Sequence, residues 1–183
     1  MLAVGLLEVK SIATGYAAED AMLKAAGVRI LRASSICSGK FLVLITGDVA
    51  SVQESIAAGR AAAGDQLIVA RAMASLDPAV LAALGKGTQI DPAEHRSIGI
   101  LETRSAASVI EAADAAIKSA HITILRIQLA QAMGGKGVVI FTGDIANVTA
   151  AVSAGRAVAE RDGMLIGAGT IAAPSPELFL DCR

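Results

Sequence analysis

The reactive side chains of this sequence are few: two cysteines, two histidines and seventeen carboxylates in 183 residues. Cys37 stands in Ile36-Cys37-Ser38-Gly39-Lys40-Phe41, on a turn between two strand-like runs, and Cys182 is second from the C-terminus. A thiolate is a nucleophile and a soft metal ligand. Iron–sulfur clusters, however, take several thiolates in local spacings such as Cys-x2-Cys, which this chain lacks. By itself Cys37 reads as a small buried hydrophobe. It can serve a metal cluster only where symmetry brings several copies of it together. Cys182 reads as a terminal thiol in a segment that frays.

The other candidates are weaker. His95 and His121 have no partner at ligand spacing and read as surface residues. Glu8 and Glu102 hold equivalent strand positions, which points to structural hydrogen bonding rather than an acid–base pair. Gly39-Lys40 and Gly135-Lys136 lack both the preceding Gly-x-x-x-x spacing and the following Ser or Thr of a phosphate loop. No Ser-His-Asp, Cys-His or paired-carboxylate set stands at a convincing spacing, so enzymatic activity is not expected.

The elements that must position Cys37 come in two copies. Gly5, Glu8, Asp20, Lys24 and Arg32 return 94 positions later as Gly99, Glu102, Asp114, Lys118 and Arg126. Beyond Arg32 the offset is 96: Lys40, Gly47-Asp48 and Gly59-Arg60 return as Lys136, Gly143-Asp144 and Gly155-Arg156. The second repeat therefore carries two extra residues between Arg126 and Lys136, in the stretch where Cys37 has no cysteine counterpart.

Periodicity predicts a strand over Leu2–Val9 and a helix over Gly15–Ala26 with Gly27 as its stop. A strand over Val28–Ile36, a Ser38-Gly39 turn and a strand over Phe41–Ile45 follow. Asp48 is an N-cap for a helix over Val49–Ala63. A strand over Gln66–Ala72 and a short helix with Pro78 at its first position complete the repeat. The second repeat reads as strand Ile98–Thr103, helix Ala106–Ser119, strands Ile122–Leu129 and Gly137–Thr142, helix Ile145–Arg161, strand Leu165–Ile171 and a short helix after Pro174. The order β-α-β-β-α-β, twice, predicts an α+β fold of two tandem ferredoxin-like domains with helices packed on antiparallel sheets. The expected boundaries are residues 1–86 and 96–183, with the polar stretch 87–95 as linker.

Composition excludes several partners. One Tyr, three Phe and no Trp leave no base-stacking surface, and a formal charge of −1 leaves no electrostatic footprint for nucleic acid. No apolar run reaches a membrane span of roughly 18 residues. The start Met1-Leu2-Ala3-Val4-Gly5 has no basic region, so no signal peptide is expected and a cytosolic chain is the default reading.

Several stretches carry a family. Gly5-Leu6-Leu7-Glu8-Val9-Lys10-Ser11, Ala18-Glu19-Asp20-Ala21-Met22-Leu23-Lys24-Ala25-Ala26, Ser38-Gly39-Lys40 and Gly47-Asp48-Val49 resemble the bacterial microcompartment (BMC) shell domain. Gly99-Ile100-Leu101-Glu102-Thr103, Ala112-Ala113-Asp114-Ala115-Ala116-Ile117-Lys118, Gly134-Gly135-Lys136 and Gly143-Asp144-Ile145 repeat the match in order. The resemblance covers almost the whole chain. It implies a non-permuted tandem shell protein that forms homotrimers of pseudo-hexagonal outline beside other shell proteins, in the shell of a cytoplasmic bacterial microcompartment.

Within the family, Ile36-Cys37-Ser38-Gly39-Lys40-Phe41 is similar to the propanediol-utilisation shell proteins that carry an iron–sulfur cluster. That likeness implies a [4Fe–4S] cluster on the threefold axis, held by one Cys37 thiolate from each of three subunits with no cysteine on the fourth iron. The axis would be lined by Ser35, Ile36, Cys37, Ser38 and Gly39 and by Ala132, Met133, Gly134 and Gly135. The implied role is electron transfer across the shell, with an encapsulated redox enzyme as a partner. The resemblance also places Lys24 and Lys118 at the tile edge, although a lysine near a helix C-terminus is favoured there by the macrodipole alone. The family's Pro-Arg-Pro-His edge stretch is replaced by Leu76-Asp77-Pro78 and Ala173-Pro174-Ser175-Pro176. Two other readings stay open: a metal-free tile whose central pore conducts metabolites, and a ferredoxin-like ligand-binding or signalling module.

Overall fold

The computed structural model describes residues 2–85, 97–130 and 134–178. The expected linker 87–95, His95 and Cys182 lie outside the described residues. By packing, the chain divides into two compact units, Met1–Leu76 and Asp77–Arg183.

The first unit runs β1 (Leu2–Val9), α1 (Ile12–Ala25), β2 (Arg29–Ile36), β3 (Lys40–Asp48), α2 (Val49–Ala63) and β4 (Leu67–Ala74). Its sheet has the order β2-β3-β1-β4, with antiparallel pairing throughout. The helices fill one face. Ala3, Leu7 and Val9 of β1 and Phe41, Val43 and Ile45 of β3 meet Ala18 and Met22 of α1 and Val52, Ile56 and Ala63 of α2. Each fully buried large aliphatic or aromatic side chain stabilises this core by roughly 1.5–3 kcal/mol. Strand alternation turns Val4, Leu6, Leu42 and Leu44 to the opposite face, and they are buried too. Burial on both faces explains the unbroken apolar run Phe41–Ile45.

The second unit runs α3 (Pro78–Gly85), β5 (Ser97–Thr103), α4 (Ala106–Ser119), β6 (Thr123–Leu129), β7 (Gly137–Gly143), α5 (Ile145–Arg161) and β8 (Leu165–Ile171). Its antiparallel sheet repeats the order as β6-β7-β5-β8. Helix α3 follows the first repeat in sequence yet packs against β6 and α4.

The ends of the helices follow the local chemistry, with two corrections. The Asp48 carboxylate accepts from the Ser51 N–H at 3.0 Å and from the Ser51 hydroxyl at 2.6 Å, so α2 is capped as its sequence requires. Helix α1 begins earlier than Gly15, because the Ser11 hydroxyl accepts from the Thr14 N–H at 3.4 Å. Gly27 does not act as a left-handed stop for that helix. The chain turns extended one residue sooner, at Ala26 (φ −154°, ψ 167°), and the Val28 N–H closes a tight turn onto the Ala26 carbonyl at 2.9 Å.

The two repeats differ by a further two residues that the sequence offsets miss. Helix α5 has 17 residues where α2 has 15. Val9 pairs with Leu67, and its equivalent Thr103 pairs with Leu165, so beyond these helices the offset is 98. Pro176 is therefore the counterpart of Pro78. Among the described residues, only Leu178 of the expected second terminal helix is helical.

Candidate functional site

Cys37 sits at the tip of the β2–β3 hairpin. Ile36 pairs with Lys40, which leaves Cys37, Ser38 and Gly39 as a three-residue turn. Such turns need a residue in the left-handed region before the second strand, and Gly39 has φ +72°. Nothing lies within 4 Å of the position where a Gly39 side chain would start. Cys37 is a partly exposed thiol, Ile36 behind it is buried, and Ser35 and Gly39 beside it are exposed.

The second hairpin is built differently. The Ala130 N–H donates to the Lys136 carbonyl at 2.9 Å, and Leu129 pairs with Gly137, so five residues span what three span in the first repeat. Ala130 takes φ +52° and Gly134 and Gly135 take +63° and +91°. Gly134 is exposed with open space around it, and Gly135 is buried. Ala132 and Met133, the other expected axis residues, lie outside the described residues.

Both hairpins are tied down by a charge pair that the sequence reading missed. Lys40 Nζ lies 3.2 Å from Glu8 Oε1, and Lys136 Nζ lies 3.0 Å from Glu102 Oε1. The lysine that ends each hairpin is thus held against the central strand of its own sheet. The signal was present: Glu8/Glu102 and Lys40/Lys136 both recur between the repeats, but nothing in one dimension joins β1 to the exit of a turn about thirty residues on. The structural reading of Glu8 and Glu102 holds.

The expected edge lysines are both salt-bridged one turn back on their helices. Lys24 Nζ lies 2.6 Å from Asp20, and Lys118 Nζ lies 2.5 Å from Asp114. Asp114 also accepts the Asp77 N–H at 2.8 Å, at the start of α3. Lys24 and Lys118 remain exposed.

For a metal, the donor set is sparse. Among the described residues no group of three or more His, Cys, Asp or Glu side chains converges. Cys37 supplies one soft thiolate donor, the chemistry of a single ligand of a metal cluster and not of a complete set. Among the described residues, no helix is long and apolar enough to cross a membrane.

The fold has counterparts among known proteins. The BMC domain model matches residues 3–76 and 97–174. The bacterial microcompartment shell protein PduT of Citrobacter freundii is 38% identical over 177 residues, spanning 97% of this chain and 95% of that protein. The bacterial microcompartment shell protein EutM of Escherichia coli K12 is 35% identical over 82 residues, covering 45% of this chain and 82% of its own length. A crystal structure of a microcompartment protein from Desulfitobacterium hafniense DCB superposes with a TM-score of 0.93 at 41% identity, over 98% of this chain and 99% of that one. Matched twice along its length and end to end by such relatives, this chain belongs to the BMC-domain family of bacterial microcompartment shell proteins.

Proposed function

We propose that this chain is a homotrimeric tile in the shell of a cytoplasmic microcompartment, set beside other shell proteins, and that its work is structural rather than catalytic. The observation that carries the assembly is a mismatch between the repeats. Tyr16 on α1 is 62% exposed, while its equivalent on α4, Ile110, is fully buried. Ile12 and Leu23 extend the open apolar surface on α1. A surface that is covered in one repeat and open in the other calls for a second protomer. Contacts between unlike surfaces run head to tail, and a one-third turn between neighbours closes them as a ring of three. Light scattering tests this: a mass of three chains supports it, and a monomer at micromolar concentration contradicts it. Electron microscopy of the concentrated protein should show flat sheets or tubes, with Lys24 and Lys118 at the contacts between tiles.

At the centre of that ring we place the Cys37 hairpin, opposite the longer hairpin that ends at Lys136. Three Cys37 thiolates, one per protomer, would hold a [4Fe–4S] cluster. The group, when bound, supplies one-electron transfer, here across the shell to an encapsulated redox enzyme. What the chain itself contributes is position. Gly39 shapes the tip, buried Ile36 anchors its base, and the Lys40–Glu8 pair fixes its exit. A metal-free pore tile is the second reading. Glycines at the exposed tips of both hairpins, Gly39 and Gly134, favour it, since side-chain-free tips would leave room for a small metabolite at an axis.

A further inference from the structure

The two repeats carry the same carboxylate in two states, and the difference assigns a partner to one of them. In the second unit, Asp114 serves two donors: Oδ2 takes the Lys118 ammonium, and Oδ1 takes the backbone N–H of Asp77. Asp77 opens α3, which lies over β6 and α4. The Asp114 side chain is accordingly only 17% exposed. Its equivalent Asp20 holds Lys24 by Oδ2 in the same way, yet is 62% exposed. The strand beside it follows suit: Ser35 of β2 is exposed where Leu129 of β6 is buried.

A second segment is built like the start of α3. Pro176 is the counterpart of Pro78, and Ser175 is the counterpart of Asp77. The Leu178 N–H donates to the Ser175 carbonyl at 3.0 Å, as the Val80 N–H donates to the Asp77 carbonyl at 3.0 Å. Leu178 stands where buried Val80 stands and packs against Ile98 and Leu125. Ser175 is exposed. A preformed turn with its first residue exposed, and an exposed carboxylate whose twin is capped by that same kind of turn, are complementary.

We propose that the Ser175–Leu178 turn of one protomer docks on α1 of a second copy of this chain. There the Ser175 N–H donates to Asp20 as the Asp77 N–H donates to Asp114. The inference rests on the homotrimer reading above and adds the residues that make its joint. A carboxylate accepting a backbone N–H is a charge-assisted bond, stronger than a neutral one. Its loss weakens each joint by roughly tenfold or more in dissociation constant.

The test uses the full chain with Cys37→Ser and Cys182→Ser, carrying Asp20→Cys and Ser175→Cys together, treated with a short bis-maleimide. The pair Asp77→Cys with Asp114→Cys calibrates the reagent, because those residues already touch within one chain. The expected result is a denaturation-resistant ladder ending at three chains, present only when both cysteines are. A second variant, Ser175→Pro, deletes the N–H at all three joints and should raise the midpoint concentration for trimer dissociation roughly thirtyfold while leaving the circular dichroism unchanged. A trimer by mass that yields no ladder and does not respond to Ser175→Pro overturns the joint and leaves the trimer standing. A monomer by mass overturns the trimer reading and this inference with it.

Discussion

Lys40 Nζ lies 3.2 Å from Glu8 Oε1, and the carboxylate it holds is almost wholly buried beneath the hairpin that presents Cys37. The second repeat has the same pair at 3.0 Å, with its carboxylate more exposed. Removing the cation from the first pair strands a buried carboxylate, whereas removing both charges does not. Lys40→Met should cost about 1–3 kcal/mol in denaturant titration, toward the lower end because Lys40 is itself a third exposed. Glu8→Gln with Lys40→Met should recover most of that loss. Equal losses in the single and double variants would show that a stranded carboxylate is not what removal of the lysine costs.

Phe41 and Gly15 make a second relationship that the repeat inverts. A β-carbon at Gly15 would stand 2.4 Å from the Phe41 ring; at their equivalents, a β-carbon on Gly137 would stand 2.4 Å from Val109. The same space is filled from the strand in one repeat and from the helix in the other. Gly15→Val should therefore overpack the first core, costing about 1–3 kcal/mol. Adding Phe41→Gly transplants the second repeat's solution, so the double variant should be less destabilised than the sum of the singles. Strict additivity in a double-mutant cycle would contradict this coupling.

The acid limb of the stability curve has a named contributor. Hydrogen bonds from the Ser51 hydroxyl and N–H hold the Asp48 carboxyl below its ordinary value. A group depressed in the folded state adds stability above its unfolded pKa of about 3.9, and loses it as pH falls through the lower folded value. Asp48→Asn keeps a capping oxygen without the titration. Its urea midpoint should lie close to wild type at pH 7 and fall less steeply below pH 4. Parallel curves for the two proteins would exclude Asp48 as a source of the acid sensitivity.

Gly39 holds φ +72° with open space around it, so the cost of a side chain there is backbone strain alone. Gly39→Ala should lower stability by about 1–2 kcal/mol. Gly39→Asn, which tolerates the left-handed region better, should lower it less. A neutral alanine would mean that the turn does not depend on that conformation.

Much of this architecture is legible in one dimension because it is local. Asp48 followed by Ser51 caps α2, Pro78 starts α3, and the break in the repeat offset marks the longer second hairpin. What escapes is what depends on neighbours in space. Gly27 is a good helix stop by type, but β2 draws the chain extended at Ala26. The two extra residues of α5 are hidden because small apolar residues recur at helical spacing in both α2 and α5. No spacing rule predicts that α3, which follows the first repeat, lies over β6 and α4. Of the candidate site, the place of Cys37 on a turn is legible; the charge pair that holds that turn is not.

The most direct test of the tile's proposed role is iron on the threefold axis. Wild type and Cys37→Ser, purified without air, would be compared by native mass spectrometry, iron and acid-labile sulfide assays, and electron paramagnetic resonance after dithionite reduction. About four iron and four sulfide are expected for every three wild-type chains, with a reduced-cluster signal, and both should be lost in a Cys37→Ser protein that remains trimeric. A wild-type trimer that takes up no iron even on reconstitution, or a Cys37→Ser trimer that keeps its iron, would contradict it.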